Sequence, residues 1–179
     1  MTAGKRSAQV PDVPAIRELV FSLTERDDAC MRGVILCAAI TDNNLQLASL
    51  CMGLGAVATS KAEGDTAQVL SRFFGCVFGW LKALKAKLPF LLIHRERERQ
   101  QKLFKAGKFS FTCASRTASF ERKLRVLTEE IGEVAEAIDL LEQVDSRARR
   151  EHLITEIVQV AAVAVAWLES LEPQSTTKE

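Results

Sequence analysis

The feature that most constrains the fold is the spacing of apolar residues near the C-terminal end. Residues that recur at spacings of three and four share one face of a helix. Two such stripes lie on either side of a short basic connection, VDSRARR, in which Asp145 or Ser146 can cap the second helix. The stripes are Leu124, Leu127, Ile131, Val134, Ile138 and Leu141, followed by Leu153, Ile157, Val160, Ala161, Ala164 and Leu168. The short connection predicts an antiparallel αα-hairpin, with helices from about Phe120 to Gln143 and from about Arg147 to Leu171.

The remainder of the sequence predicts further helices, because no stretch alternates with a period of two over a convincing length. The predicted fold is therefore all-α: a helical bundle built around the hairpin, with an additional N-terminal helical module. The predicted units are a module at 14–88, a helical domain at 94–172, and flexible ends at 1–13 and 173–179. The first expected elements are a helix from Pro14, a break with a cap at 41–44 and a helix to Ser60. A turn at 61–65 and a helix that ends before Pro89 follow. A polar helix at 94–106, ended by Gly107, and a loop at 107–119 complete the order.

Charge and composition exclude several classes of protein. The formal net charge of the 179 residues is +1, which does not favour nucleic-acid binding through bulk charge. The most apolar stretch, residues 73–93, is interrupted by three lysines and makes a poor membrane span. The first fourteen residues are polar and lack the apolar core of a signal peptide. We therefore expect a cytoplasmic protein without membrane contact.

The five cysteines do not form a CxxC motif, and four of them lie in apolar runs. This usage predicts buried, reduced thiols rather than disulfides or a zinc site. The aromatic residues of the N-terminal module are expected to form core or interface rather than a base-stacking platform. They are Phe73, Phe74, Phe78 and Trp80. No role is predicted for the module.

The hairpin carries acidic residues at the edge of its apolar stripes. Glu130 and Glu133 are three residues apart on the first helix, and Glu156 and Gln159 have the same spacing on the second. Positions i and i+3 share a helix face, so antiparallel packing can bring the two pairs together. Neighbouring carboxylates raise one another's pKa or require a cation, and hard oxygen ligands suit Mg²⁺ or Mn²⁺.

The alternative interpretation is a solvated helix face, because glutamate is a good helix former. Two features weigh against it. Gln159 lies in an almost wholly apolar helix, which indicates that little of that helix is exposed. Gly132 lies in the middle of the first helix, at a cost of about 1 kcal/mol relative to alanine. We expect that another backbone or a ligand approaches this glycine closely.

At these residues the sequence resembles the MazG-like all-α nucleoside triphosphate pyrophosphohydrolases, which carry EExxE on one helix and ExxD on the next. The segment EEIGE, with Glu129, Glu130 and Glu133, matches the first element, and EIVQ matches the second except at Gln159. The flanks KLRVLTEEIGEVAEAI and HLITEIVQVAAVAVAWLESL and the upstream RERERQQKLFKAGKFSFTCAS also fit. The resemblance covers about residues 94–172.

The resemblance implies Mg²⁺-dependent hydrolysis of a nucleoside triphosphate, with a deoxynucleoside triphosphate as the first candidate, to a monophosphate and pyrophosphate. It implies that Glu130, Glu133 and Glu156 are metal ligands with Gln159 beside them, and that Glu129 orients or deprotonates the attacking water. By position, the basic residues expected to hold phosphates are Lys105, Lys108 and Arg122. The resemblance also implies a homodimer or higher homo-oligomer.

Gln159 is the departure from the family pattern. An amide oxygen can ligate a hard cation, but it brings no negative charge, so metal affinity should fall. Two hypotheses follow. In the first, the site works with three carboxylates and an amide. In the second, the protein is a catalytically degenerate helical module that acts in nucleotide binding or protein–protein assembly.

Overall fold

The computed structural model describes residues 34, 37–60 and 62–172, and over these residues all regular secondary structure is helical, without strands. The all-α prediction is confirmed. The five helices of seventeen or more residues are α1 (Asn43–Thr59), α2 (Glu63–Ala83), α3 (Pro89–Lys105), α4 (Phe120–Gln143) and α5 (Arg147–Leu171).

Both helices of the hairpin, α4 and α5, begin where their capping residues predict. The Ser119 side chain accepts a hydrogen bond from the Arg122 backbone N–H, and Ser146 accepts one from Arg149, each at 3.3 Å. These bonds satisfy backbone donors that the first turn of a helix leaves unpaired. Helix α4 is amphipathic and buries its apolar stripe, whereas α5 is buried over almost its whole apolar length.

Helix α5 is the centre of the bundle, because α2, α3 and α4 all pack against it. Within the described part of the chain, it is also the one helix whose length and composition would suit a membrane span. However, 83% of its apolar window is buried inside the fold. Packing against three neighbouring helices therefore accounts for its apolar sequence.

Helices α1 and α2 contribute to the same hydrophobic core as α4 and α5. Helix α1 packs on α2 and α4, and the aromatic residues of α2 are buried, as predicted for core positions. Gly79 of α2 allows a close approach, since a Cβ at this position would lie 2.7 Å from the Val34 carbonyl oxygen. The core thus extends over both of the units predicted from the sequence.

Two helix starts differ from the predictions. Helix α2 begins at Glu63, inside the predicted turn at 61–65, and its N-cap residue Ala62 makes no side-chain capping bond that the sequence could reveal. Helix α3 begins at Pro89 rather than near His94, because proline suits the first turn of a helix. Gly107 follows α3 with φ +70, as expected of a residue that ends a helix.

Among the cysteines of the described residues, all are free thiols, and Cys37 and Cys113 are buried. The prediction of burial is wrong for Cys51, which is exposed on α1. The apolar spacing that predicted burial does not show which face of α1 packs inward. The helix predicted from Pro14, the flexible ends and Cys30 lie outside the described residues.

Candidate functional site

A cavity of about 440 Å³ lies where α3, the loop after it, α4 and α5 meet. Its acidic residues come from α4, and its basic and aromatic residues come from α3 and the loop after it. The residues that line it are Arg99, Gln100, Lys108, Phe109, Ser110, Phe111, Thr112, Cys113, Val126, Glu129, Glu130, Glu133, Gln159 and Val163.

Three glutamates converge beside this cavity, and two of them, Glu130 and Glu133, line it. A carboxylate oxygen from each of Glu130, Glu133 and Glu156 lies within 4.8 Å of the other two. The antiparallel hairpin brings them together, because Glu130 and Glu133 are on α4 and Glu156 is on α5. Their exposure differs: Glu133 is exposed, Glu130 is half-buried and Glu156 is buried.

The pKa of Glu130 shows how unfavourable this arrangement is for charge. It is raised from 4.5 to about 7, first by burial and then by the negative charges of Glu133, Glu156, Glu96 and Glu129 in that order of importance. Its Oε2 atom is buried and has no hydrogen-bond partner. An unpartnered carboxylate oxygen among other carboxylates fits a bound cation, which would satisfy the oxygen and offset the repulsion.

Glu156 is held by its own helix neighbours. Burial raises its pKa, His152 opposes that shift, and Glu133 adds to it. The His152 Nδ1 atom lies 3.2 Å from Oε1, and the Gln159 amide nitrogen donates to Oε2. One carboxylate thus has contacts on both oxygens, which fixes its orientation on α5.

Gln159 lines the cavity beside the glutamates, at the position where the family pattern has an aspartate. Its amide nitrogen faces Glu156, so the amide donates to the cluster rather than offering an oxygen. Half a turn of the amide about its terminal torsion would reverse this and add a fourth oxygen. In the orientation described, the Gln159 amide holds the Glu156 carboxylate in place. In the reversed orientation, its oxygen would complete an oxygen ligand set.

The other residues predicted for the site occupy different places. Glu129 lines the cavity but stands outside the group of three converging glutamates. Lys108 lines the cavity from the loop after α3. Lys105 and Arg122 are exposed and are not among the lining residues. Arg122 nevertheless stacks 3.8 Å from the centre of the Phe111 ring and donates to Ser110 Oγ at 3.0 Å, so it supports two residues that do line the cavity.

Sequence reasoning missed Arg99 and the aromatic pair Phe109 and Phe111. Arg99 makes two hydrogen bonds of 2.7 Å to the Glu96 carboxylate, and that contact raises its pKa. It belongs to the charged run RERERQQK, in which any residue could face solvent. The aromatic residues lie on a loop without periodicity, so no pattern in the sequence indicates where they point.

Of the two explanations offered for Gly132, the approach of another backbone is wrong for the described residues, and the approach of a ligand stays a prediction. A Cβ at this position would meet nothing within 4 Å, and the residue is exposed. Neither a backbone nor a side chain among the described residues requires a glycine there. Gly132 is on the outer side of α4, away from the apolar stripe that packs inward.

Comparisons with known proteins assign no relative to the chain: no protein-family model, curated protein or solved structure matches it.

Proposed function

We propose that the protein hydrolyses a nucleoside triphosphate, first a deoxynucleoside triphosphate, to the monophosphate and pyrophosphate in the presence of Mg²⁺ or Mn²⁺. The MazG-like motif at residues 129–133 and 156–159 suggests this activity. The observation that carries the proposal is the convergence of three carboxylates, one with an unpartnered buried oxygen, beside a cavity that is also lined by the cationic side chains of Arg99 and Lys108.

The carboxylates of Glu130, Glu133 and Glu156 would hold the metal. When bound, a divalent ion supplies positive charge to the phosphates and lowers the pKa of a coordinated water. An all-oxygen ligand set favours Mg²⁺ or Mn²⁺ over metals that prefer sulfur or imidazole.

The wall that α3 and the following loop contribute to the cavity favours a phosphorylated ligand. Arg99 and Lys108 line it and supply the cations that a polyphosphate requires. The same wall carries Phe109 and Phe111, which offer aromatic surface to a base. Because Arg99 is paired with Glu96, it would have to exchange that carboxylate for a phosphate when substrate binds.

The proposed hydrolytic step is a displacement at phosphorus. A water oxygen bonds to the α-phosphorus, and the bond from that phosphorus to the oxygen bridging to the β-phosphorus breaks, releasing pyrophosphate. The water proton passes to a carboxylate. Glu129 is the proposed acceptor because it lines the cavity next to Glu130 and is outside the converging group.

The experiment is a pyrophosphate-release assay with a panel of deoxynucleoside and nucleoside triphosphates and Mg²⁺ or Mn²⁺. We expect turnover that falls at least about 100-fold in Glu133→Gln, because removal of one group that stabilises charge costs about that much. Glu136→Gln is the matched control, since Glu136 is an exposed glutamate on the same helix and outside the cluster. Absence of metal-dependent turnover with every nucleotide in the panel would reject the enzyme.

The second candidate is a catalytically degenerate helical module that binds nucleotides or assembles with proteins. The contact that favours it is the Gln159 amide nitrogen, which donates to Glu156 and brings no charge to the site. The variant Gln159→Asp distinguishes the candidates. A gain in turnover of roughly tenfold or more would support degeneracy, because added ligand charge tightens metal binding. Unchanged or lower turnover supports a natural enzyme that works with the amide.

We also propose a homo-oligomer. Helix α1 contains no charged residue, yet it exposes 59% of Leu45 and 70% of Met52. An apolar outer face of this kind is typical of a protein–protein contact. Sedimentation equilibrium of the wild type and of Met52→Glu tests it, with dissociation expected in the variant. The cytoplasmic location stays a prediction from the sequence.

A further inference from the structure

A second cavity of about 600 Å³ lies at the other end of the hairpin, near the start of α4 and the end of α5. Lys123 in its lining is two helical turns, or about 10 Å of rise, from Glu130 along α4. The two cavities share no lining residue. The volume is within the range of small-molecule sites.

Lys123 is the unusual residue of this second cavity. It is only 4% exposed, and its ammonium donates to Ser170 Oγ at 2.5 Å. Ser170 donates in turn to the Trp167 carbonyl, so this contact brings no negative charge. No carboxylate among the described residues lies within ion-pair distance of Lys123. Glu63 acts on this ammonium only from beyond contact distance, so burial of the charge is costly, and an anion in contact with it would lower that cost.

The other walls indicate what kind of anion would fit. Arg116 lines the cavity and adds a second cation. Phe120 and Trp167 form an edge-to-face pair with ring centres 5.2 Å apart, which supplies an apolar wall. Glu63 and Glu172 also line the cavity and are exposed, so a multiply charged anion would meet repulsion at the mouth. A single negative charge on an apolar body suits these walls best.

We propose that this second cavity binds a small organic acid. Its carboxylate pairs with Lys123 and Arg116, and its apolar body packs on Trp167 beside Phe120. The proposal is independent of the hydrolase, because it uses none of the acidic residues of the first cavity.

The pKa of Lys123 agrees with binding of an anion at its ammonium. Burial lowers the pKa of Lys123, and Arg116 lowers it further, while Cys113 and Glu63 oppose the shift. An anion placed at the ammonium would favour its charged form. The cavity is thus arranged so that binding of the ligand and full protonation of Lys123 support each other.

The test uses the full-length chain and benzoate as the probe, with isothermal titration calorimetry as the measurement. We expect a Kd of about 1 mM or tighter. We expect it to weaken at least tenfold in Lys123→Met, which removes the charge and retains the stem, and in Arg116→Met. Arg125→Met is the matched control, because Arg125 is an exposed cation on α4 that does not line this cavity, and its Kd should equal that of the wild type.

Thermal melting separates a binding defect from a folding defect. Lys123→Met should melt at a higher temperature than the wild type without ligand, because an uncompensated buried charge is replaced by an apolar group of similar shape. If that variant fails to fold, Arg116→Met carries the test, since its side chain is exposed.

Several outcomes would overturn the proposal. One is the absence of benzoate binding up to about 10 mM. A second is equal affinity for benzyl alcohol, which would show that the charge is not used. A third is inorganic phosphate binding as tightly as benzoate, which would show that the apolar wall contributes nothing. Wild-type affinity in both Lys123→Met and Arg116→Met would place the ligand elsewhere.

Discussion

Helix α5 contributes to two groups of charged side chains that differ in whether their charges are paired. Arg97 of α3 and Glu169 of α5 form a closed ion pair, with side chains 0% and 2% exposed. Arg97 Nε lies 3.1 Å from Glu169 Oε1, Nη2 lies 2.8 Å from Oε2, and Nη1 donates to Gln100 at 3.0 Å. Here the charges balance and the guanidinium meets the carboxylate through two bonds, which is the strongest geometry for such a pair.

In the acidic group the charges are not balanced by cations, and the group is not closed off from solvent. Glu130, Glu133 and Glu156 carry charge of the same sign, two of them line a cavity, and one buried oxygen of Glu130 has no partner. Burial of charge is therefore not what distinguishes a candidate site in this fold. The distinguishing property is a local excess of one sign that only something from outside the chain can offset. Lys123 is likewise a buried charge whose own contact, with the Ser170 hydroxyl, brings no charge of the opposite sign.

The largest expected effect concerns the balanced pair. Arg97→Met should lower the free energy of unfolding by about 3–5 kcal/mol, because it leaves the Glu169 carboxylate buried without its cation. Urea unfolding at neutral pH measures this loss. Mg²⁺ should still stabilise the variant, since Arg97 does not contact the acidic group.

The double variant Arg97→Met/Glu169→Leu is the control for that experiment. Removal of both charges should restore most of the lost stability, as apolar replacements of buried pairs do. If Arg97→Met lowers the free energy of unfolding by less than about 1 kcal/mol, the pair contributes no more than a surface salt bridge. That result would contradict the contrast between a balanced buried pair and an unbalanced acidic group.

The next effect concerns the unbalanced group. At a Mg²⁺ concentration of 100 times its Kd, the free energy of unfolding of the wild type should rise by about 2.7 kcal/mol. Glu156→Gln should lose this increment, and without metal it should be at least as stable as the wild type because one repelling charge is gone. Denaturant unfolding with Mg²⁺ and with EDTA provides both values.

Glu136→Gln, with an exposed glutamate of the same helix replaced, should keep the full increment. An increment of wild-type size in Glu156→Gln would show that Mg²⁺ binds somewhere else, and the converging glutamates would then be a repulsive surface without a ligand.

The smallest effect is a dependence of stability on pH without metal. The pKa of Glu130 is raised from 4.5 to about 7, so between these values the folded protein binds more protons than the unfolded chain. The contribution of this group to stability is therefore fully present below about pH 4.5 and is lost as the pH rises to about 7. Urea unfolding in EDTA at pH 5 and pH 8 should show a smaller decrease for Glu130→Gln than for the wild type. Identical decreases would mean that Glu130 is not shielded from water.

Local signals in the sequence were sufficient to predict the hairpin. The caps Ser119 and Ser146 and the apolar stripes fixed the ends of α4 and α5, and positions i and i+3 on antiparallel helices fixed which acids meet. These features depend on neighbours in the chain and on one short connection, so periodicity captures them.

The remainder depends on contacts distant in sequence. Arg97 and Arg99 are two residues apart in one charged run, yet Arg97 is fully buried and Arg99 is exposed at the cavity. Only the partner Glu169, 72 residues further along, distinguishes them. The path of the loop at 107–119 is likewise set by the helices that it crosses, which is why the basic and aromatic wall could not be predicted.

The enclosure of α5 has a consequence for how the protein can change. The helix that carries Glu156 is held in place from behind by α2, which belongs to the half of the chain without any proposed chemistry. A shift of α2 therefore moves one acid relative to the two on α4. Directed evolution confined to residues 43–83 should alter the proposed metal site with no polar group of that site exchanged, because this region supports the helix that carries Glu156.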